Sequence, residues 1–437
     1  MKTYREAMDY LLEIPMFSQG KTPQQDLKRY LKALGNPEQG KKIIHVAGTN
    51  GKGSVCAFLT SILIEGRKNV GTFTSPHLIE INERIAINGD SVDNKSFLDG
   101  FIKVYELLDR LPKKGFHSPT FFEFLFLMAM VIFQEKSVEY IILETGLGGR
   151  LDATNVIAHP LISIITSISL DHVKILGSTI GEIAAEKAGI IKTGIPVIYD
   201  GSDSEAAEVI SRTAKEKHTS ALSVNRENFQ ILSLQEDFLE FCANTLRKEK
   251  QKFQIPCAGD YQVMNSMLAV RAIEVTDRDH EFSWDIIIGG LRKFAWPGRM
   301  EQVRNGVYLD GAHNPGAVRA FVDTAKKIIG KNTGKLYVLF STVADKDYRA
   351  MAKEICCSLK PEAVVLTQIG NSRGLPVKIL EQTFSEFAEK EIITFKNVEE
   401  AVDAVLKMKA ENDKVFCVGS LYLVGAVKTI LRRKQDD

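Results

Sequence analysis

From residue 43 onward, short and nearly unbroken apolar runs alternate with segments whose apolar residues recur at helical spacing, and turns of Gly or small residues separate them. That alternation predicts an α/β chain. The runs place strands at Ile43 to Ala47, Val70 to Thr74, Val138 to Leu143, Leu161 to Ile168 and Pro196 to Tyr199. Their continuous apolar character suits parallel strands covered on both faces. Between Thr219 and Pro256 the pattern shortens to alternating stretches such as Phe229-Gln-Ile-Leu-Ser and Phe238-Leu-Glu-Phe-Cys, which predict a small antiparallel meander. A helical pattern follows at Val263 to Val275, and Lys293-Phe-Ala-Trp-Pro-Gly-Arg299 reads as a turn-rich connector. Beyond it the rhythm restarts with strands near Val307 to Leu309, Leu336 to Phe340, Ala363 to Leu366 and Val415 to Val418. The polar tail from Arg432 to Asp437 is expected to fray.

The expected architecture is an N-terminal parallel-sheet domain of P-loop type with a small antiparallel β region, residues 1–297, followed by a smaller Rossmann-like domain, residues 298–437. Length agrees, because 437 residues exceed the roughly 250 to 300 at which a single core stops growing. A composition of 44% hydrophobic and 25% charged residues excludes a disordered or fibrous chain. With 56 Lys plus Arg against 55 Asp plus Glu, no net field favours nucleic acid or an acidic membrane, so any anion site must be local. Cys56, Cys242, Cys257, Cys356, Cys357 and Cys417 show neither CxxC nor Cys/His ligand spacing, and reduced thiols are expected. The most apolar run, Phe124 to Phe133, is about half the ~20 residues that span a bilayer, so it predicts a core helix. No targeting segment is legible, and the cytoplasm is the expected compartment.

Gly48-Thr-Asn-Gly-Lys-Gly-Ser54 lies between the first strand and a segment with Val55, Phe58, Leu59, Ile62 and Leu63 at helical spacing, stopped by Gly66. Glycines let backbone amides approach a polyphosphate, a helix N-terminus adds a favourable dipole, and Lys52 adds a point charge. A bare glycine-rich turn is the competing reading. The pattern is GxxGKxS rather than GxxxxGK[ST]: Val46 stands where the first glycine would be, and Gly53 displaces the hydroxyl of Ser54 by one residue. The loop does not name a reaction, since kinases, switch GTPases and ligases share it.

Ligands of an open parallel sheet bind beyond the carboxyl ends of the strands. The polar residues there are Lys52, Ser75, Glu144 and Asp171-His172. A hydroxyl, a carboxylate and an imidazole beside a triphosphate could hold Mg²⁺, although Ser75 could equally start a turn, Glu144 be a solvated acid and His172 a core histidine. After the capping box Thr179-Ile-Gly-Glu182, Lys187 shares a helical stripe with Ile180, Ile183, Ala184, Ala188 and Ile191. It is either a snorkelling side chain or a buried amine of lowered pKa, able to take up CO₂ as a carbamate. Thr120-Phe-Phe-Glu123 is a capping box whose paired aromatics could also wall a ligand, and the loop Gly146 to Asn155 is a candidate substrate contact. In Asp310-Gly-Ala-His-Asn-Pro315, helix capping explains Asn314 and Pro315 but leaves Asp310 and His313 for a cleft between the domains.

Together these segments resemble the folylpolyglutamate synthase and dihydrofolate synthase family, which is related to the Mur ligases. The resemblance rests on His45 to Ser54, Ser75-Pro-His-Leu78, Glu144 to Asn155, Asp171-His172, Glu186-Lys-Ala-Gly-Ile190, Pro297-Gly-Arg299 and Asp310 to Pro315. It implies that Asn50, Gly51, Lys52, Gly53 and Ser54 hold the ATP phosphates, with Asn265, Arg299 and Asp310 completing the nucleotide site. It implies Mg²⁺, two ions in all, on Ser75, Glu144, His172 and a carbamylated Lys187. Thr120, Phe121, Phe122, Glu123, Leu151, Asp152 and Ala153 would contact the pterin-bearing substrate, and Lys52, Lys187 and His313 would serve catalysis. The implied reaction joins L-glutamate to a folate, or to 7,8-dihydropteroate, through an acyl phosphate. The expected partners are those small molecules, with no nucleic acid or membrane, and the expected state is a monomer. A ligase acting on a UDP-linked sugar peptide and a slow ATP-hydrolysing switch are the alternatives.

Overall fold

The computed structural model describes residues 3–15, 24–111, 117–330, 334–370 and 373–436. The first sheet contains β1 (Lys42–Ala47), β2 (Val70–Phe73), β3 (Ile85–Ile87), β4 (Asp90–Ser91), β5 (Tyr140–Glu144), β6 (Ile162–Ile165), β7 (Val197–Asp200) and β8 (Ala221–Val224). Its order is β4-β3-β2-β5-β1-β6-β7-β8, parallel throughout except where β3 runs against β2 and β4 against β3. The expected run Leu161 to Ile168 stops as a strand at Ile165. Beyond it Thr166 Oγ1 turns to donate to Asn50 O at 2.6 Å, and Ser167 O accepts from Thr49 N at 2.8 Å. Side-chain and backbone bonds to the glycine loop thus replace the ladder.

The meander is present as β9 (Phe229–Leu234), β10 (Leu239–Ala243) and β11 (Gln251–Ile255), antiparallel in the order β11-β10-β9. It is shorter than expected, because β8, inside the same stretch of sequence, pairs parallel with β7 and closes the large sheet. A second sheet of β12 (Glu301–Arg304), β13 (Val307–Leu309), β14 (Leu336–Phe340), β15 (Ala363–Thr367), β16 (Glu391–Phe395) and β17 (Lys414–Val418) has the order β12-β13-β17-β14-β15-β16. The expected frayed tail is instead part of the helix Leu421–Asp436, on which Lys434 is ion-paired with Asp403.

The helix Phe121–Glu135 is buried on all sides from Phe124 to Phe133, and each Leu, Ile, Phe or Met hidden there contributes about 1.5–3 kcal/mol. Close approach depends on glycine: a Cβ on Gly71 of β2 would lie 2.6 Å from the Phe133 ring, and one on Gly100 would lie 2.7 Å from Ile132. No described helix is long and apolar enough to cross a membrane. The six cysteines are unpaired, with Cys56, Cys356 and Cys417 buried.

Candidate active site

β1 delivers the chain into the glycine loop. A Cβ on Gly48 would fall 1.8 Å from Thr166 Oγ1, and one on Gly51, left-handed at φ 89°, 2.3 Å from Asn265 Oδ1. Both positions therefore exclude a side chain. Gly51 is the N-cap of the helix Lys52–Glu65 and offers no side-chain cap, so the first amides stay available to an anion. That is the fit expected of a polyphosphate. Lys52 Nζ donates to Thr49 O at 3.2 Å and lies 3.8 Å from Glu144 Oε1. Ser54 is buried and accepts from Gln262 Nε2 at 3.1 Å, while Asn265 Nδ2 donates to Gln262 Oε1 at 2.8 Å. Ser54 and Asn265 thus share one hydrogen-bonded chain behind the loop.

Ser75 sits just past β2 and Glu144 at the end of β5, whereas His172 lies farther along the loop after β6, at the N-cap of the short helix Val173–Leu176. Ser75 precedes a cis peptide to Pro76, and its N–H donates to Glu144 Oε2 at 3.0 Å. Burial pushes the Glu144 carboxyl up, against the pull of Lys52 and the Ser75 amide. His172 is left-handed at φ 50°, and burial followed by Lys346 pulls its imidazole down. Among the described residues no three His, Cys, Asp or Glu side chains converge as a metal site. A site built from this set therefore needs the Ser75 hydroxyl and a fourth donor. Lys187 is 4% exposed and donates to Gly48 O at 2.7 Å, so it does not snorkel. Burial, and secondarily Lys52, brings its amine down to about 7.

The acceptor-side segments divide. Thr120 Oγ1 accepts from Glu123 N at 3.4 Å, and Glu123 Oε2 accepts from Thr120 N at 2.8 Å, so the capping box is formed. Phe121 is buried beneath the Arg84 guanidinium, 5.4 Å from the ring centroid. Half-buried Phe122 tilts against Phe73 at 5.3 Å and covers Gly146. Leu151 is exposed and Ala153 buried. Asp152 braces its own loop: Oδ2 accepts from Gly146 N at 2.9 Å and Leu147 N at 3.0 Å, and Oδ1 from Thr154 N and Oγ1 at 3.0 and 2.6 Å.

From the second sheet, Asp310 accepts from Tyr261 OH at 2.8 Å, Met300 N at 2.9 Å and Ala312 N at 2.8 Å. It therefore joins the two sheets' units directly. Arg299 Nη1 donates to Gly298 O at 2.9 Å, close against Gly311. His313 Nδ1 donates to Gly311 O at 2.7 Å, with Nε2 4.0 Å from Asp171 Oδ2, and burial draws the imidazole down to about 4.

Residues 46–273 match the Mur ligase middle domain and residues 298–421 the Mur ligase glutamate ligase domain. The chain is 36% identical over 419 residues to the dihydrofolate synthase/folylpolyglutamate synthase of Bacillus subtilis (strain 168), covering 93% of this chain and 94% of that one. The chain belongs to the folylpolyglutamate and dihydrofolate synthase family. Among solved structures, E. coli FolC in complex with DHPP and ADP is similar over 99% of both chains, with a TM-score of 0.85 and 25% identity. Mycobacterium tuberculosis folylpolyglutamate synthase complexed with ADP and AMPPCP is similar over 98% of both, with a TM-score of 0.87 and 26% identity. This family member is an ATP-dependent ligase of the two-domain Mur type.

In this synthase-family chain Asn314 does more than cap. Its Oδ1 accepts from Ala317 N at 2.9 Å, while Nδ2 donates to Asn50 Oδ1 at 2.9 Å and Asp171 Oδ2 at 3.1 Å. Lys346, absent from the sequence-based candidates, places Nζ 2.7 Å from Asp171 Oδ1 and 3.5 Å from His172 Nε2. Burial alone would raise Asp171, but Lys346, His172 and His313 hold it well below the usual carboxylate range. Lys346 lies in the loop well beyond the end of β14, where the sequence pattern carries no signal for it. Because its side chain and that of Asp171 are only 7% and 10% exposed, Lys346→Ala should cost about 3 kcal/mol, read as a lower denaturation midpoint. Combined with Asp171→Asn it should cost less than the sum of the two. Additive losses would contradict the pairing.

Proposed function

We propose that this ligase joins L-glutamate to the carboxylate of a folate, and of 7,8-dihydropteroate as well, through an acyl phosphate. The observation that carries the reading is the uncapped helix start at Gly51, with Glu144 3.8 Å from Lys52, Lys187 bonded to Gly48, and Asn314 of the second unit bonded to Asn50. Asn50 to Ser54 would hold the phosphates, with Asn265, Arg299 and Asp310 completing the nucleotide site. We place the division between the two domains after residue 297.

Ser75, Glu144, His172 and Lys187 as a carbamate would hold Mg²⁺, which supplies neutralisation of phosphate charge. In the reaction an acceptor carboxylate oxygen attacks the γ-phosphorus and ADP departs. The neutral glutamate amine then attacks the acyl carbon, and inorganic phosphate departs with the proton that the amine gives up. Positioning and charge balance carry such chemistry, and Lys52 and Arg299 supply positive charge from the chain itself. The contacts of Asn314 and Lys346 with Asn50 and Asp171 hold the two units together over the loop, which shields an acyl phosphate from water. Thr120 to Glu123 and Leu151 to Ala153 would flank the acceptor, with Phe122 and Leu151 presenting surface and Asp152 shaping the loop. His313 would assist from the second domain. The reading places the enzyme in the cytoplasm as a monomer acting on small molecules.

Activity on dihydropteroate is read from Ser75-Pro76-His77-Leu78. His77 Nδ1 accepts from Arg84 Nε at 2.9 Å, and Arg84 in turn stacks on Phe121. This chain ties the motif to the aromatic pair beside a groove of about 300 Å³ that His77 and Phe121 help line. The test supplies dihydropteroate as sole acceptor with ATP, Mg²⁺ and glutamate, and dihydrofolate is the expected product. A preparation that glutamylates tetrahydrofolate but yields no dihydrofolate would leave a dedicated folylpolyglutamate synthase.

A further inference from the structure

The connector 293–299 is laid along the phosphate-loop helix rather than strung between two domains. Gly290 packs on Ile62, where a Cβ would lie 2.5 Å from the Ile62 Cα. Lys293 Nζ is 2.5 Å from Glu65 Oε2, and the Phe294 ring stacks on Phe58 with centroids 3.7 Å apart at 12°. Trp296 then lies across Gly53: a Cβ there would sit 2.7 Å from the indole Cζ2 and 3.1 Å from Cε2 and Nε1. As residue numbers rise through 290, 294 and 296, their partners fall through 62, 58 and 53. The connector therefore runs back toward the loop and presents Arg299 three residues later. Past Trp296 the backbone passes two left-handed positions, Gly298 at φ 70° and Met300 at φ 49°, before β12 begins.

This packing accounts for the departure from the GK[ST] pattern. An indole is flat and stiff, so a side chain at position 53 could enter only by displacing the ring and the connector with it. The hydroxyl one residue later is bonded to Gln262. We infer that Trp296 is a positioning residue for the nucleotide: its ring holds the Gly53 backbone at the helix start and sets Arg299 in register with the phosphate loop. The inference rests on reading residues 48–54 as the ATP phosphate loop. A misplacement of about 1 Å at such a site is enough to lose much of its effect.

The chain has two tryptophans, and Trp284 packs edge-on to Phe253 of the meander. Trp284→Phe therefore leaves Trp296 as the sole indole reporter. Its emission should shift as ADP is added, with the half-maximal change at the dissociation constant that calorimetry gives for ADP. Trp296→Ala should raise the KM for ATP and the Kd for ADP about tenfold, with the KM values for folate and glutamate unchanged and Trp296→Phe restoring affinity to within about threefold. Denaturation midpoints without nucleotide accompany each variant. ADP binding without an emission change, or an unaltered ADP Kd in Trp296→Ala, overturns the inference. A uniform loss across all three substrates with a lowered midpoint also overturns it, since that is a purely structural role. Failure of ADP to bind the unsubstituted chain overturns the phosphate-loop reading beneath it, and the inference with it.

Discussion

Lys52→Ala is expected to lower kcat/KM for ligation by on the order of 10³-fold while the chain remains folded. The residue opens the helix Lys52–Glu65 at its first turn, with its side chain 16% exposed. Its ammonium rests between Thr49 O at 3.2 Å and Glu144 Oε1 at 3.8 Å. A triphosphate oxygen is a stronger acceptor than either, so the lysine is poised to exchange a local contact for a substrate one. The substitution also removes the nearest cation from Glu144, a carboxyl that burial already pushes up. Protonation of that acid would remove an anionic donor, so one change injures the site twice. Lys52→Arg separates the effects, because it keeps the charge beside Glu144 but replaces a point donor by a planar fork, and it should retain intermediate activity. Turnover of Lys52→Ala within tenfold of the original would refute the role. A fall of more than about 10 °C in the denaturation midpoint would assign the loss to folding instead.

The helix start at Lys52 was legible in the sequence, and the reason extends to much of the fold. β1, β13 and β14 emerge from the apolar pattern almost to the residue because they are buried on both faces. β12 and β16 are edge strands whose residues are mostly half-exposed, and they carry too little apolar signal to be seen. β8 is also an edge, so Ala221–Val224 was grouped with the alternating stretch that follows it. Lys187 stood out as a charge on an apolar stripe, an anomaly that burial confirms. Lys346 gave no such signal, since it lies in a loop without periodicity and gains its meaning only when the second unit brings it to Asp171. In Asn314 a sufficient local explanation, the cap, concealed contacts to Asn50 and Asp171. Asp152 has a loop-bracing role that the sequence pattern does not display: a glycine-rich loop leaves amides that need an acceptor as much as a substrate needs a contact.

Lys187→Ala is expected to abolish ligation to a similar degree, and the native residue is expected to work as a carbamate. Formation of that group joins the neutral amine to CO₂ and releases one proton. With its amine brought to about 7, Lys187 is about half neutral at pH 7, whereas an ordinary lysine is neutral in about one molecule in a few thousand. Reaction at fixed CO₂ pressure should therefore rise as pH rises through 7, and fall below it as the ammonium returns. The second cause of the lowered value is the charge of Lys52, and this charge acts in the opposite sense on the product. A cation that disfavours an ammonium at Lys187 favours a carbamate there. Enzyme stripped of CO₂ should accordingly lose activity and regain it with ¹³CO₂ faster at pH 8 than at pH 6, with a carbamate carbon resonance growing in step. The resonance should be missing from Lys187→Ala. Fully active, CO₂-equilibrated enzyme with an unmodified ammonium at this position would contradict the carbamate, and ligation retained by Lys187→Ala would contradict any role for the side chain.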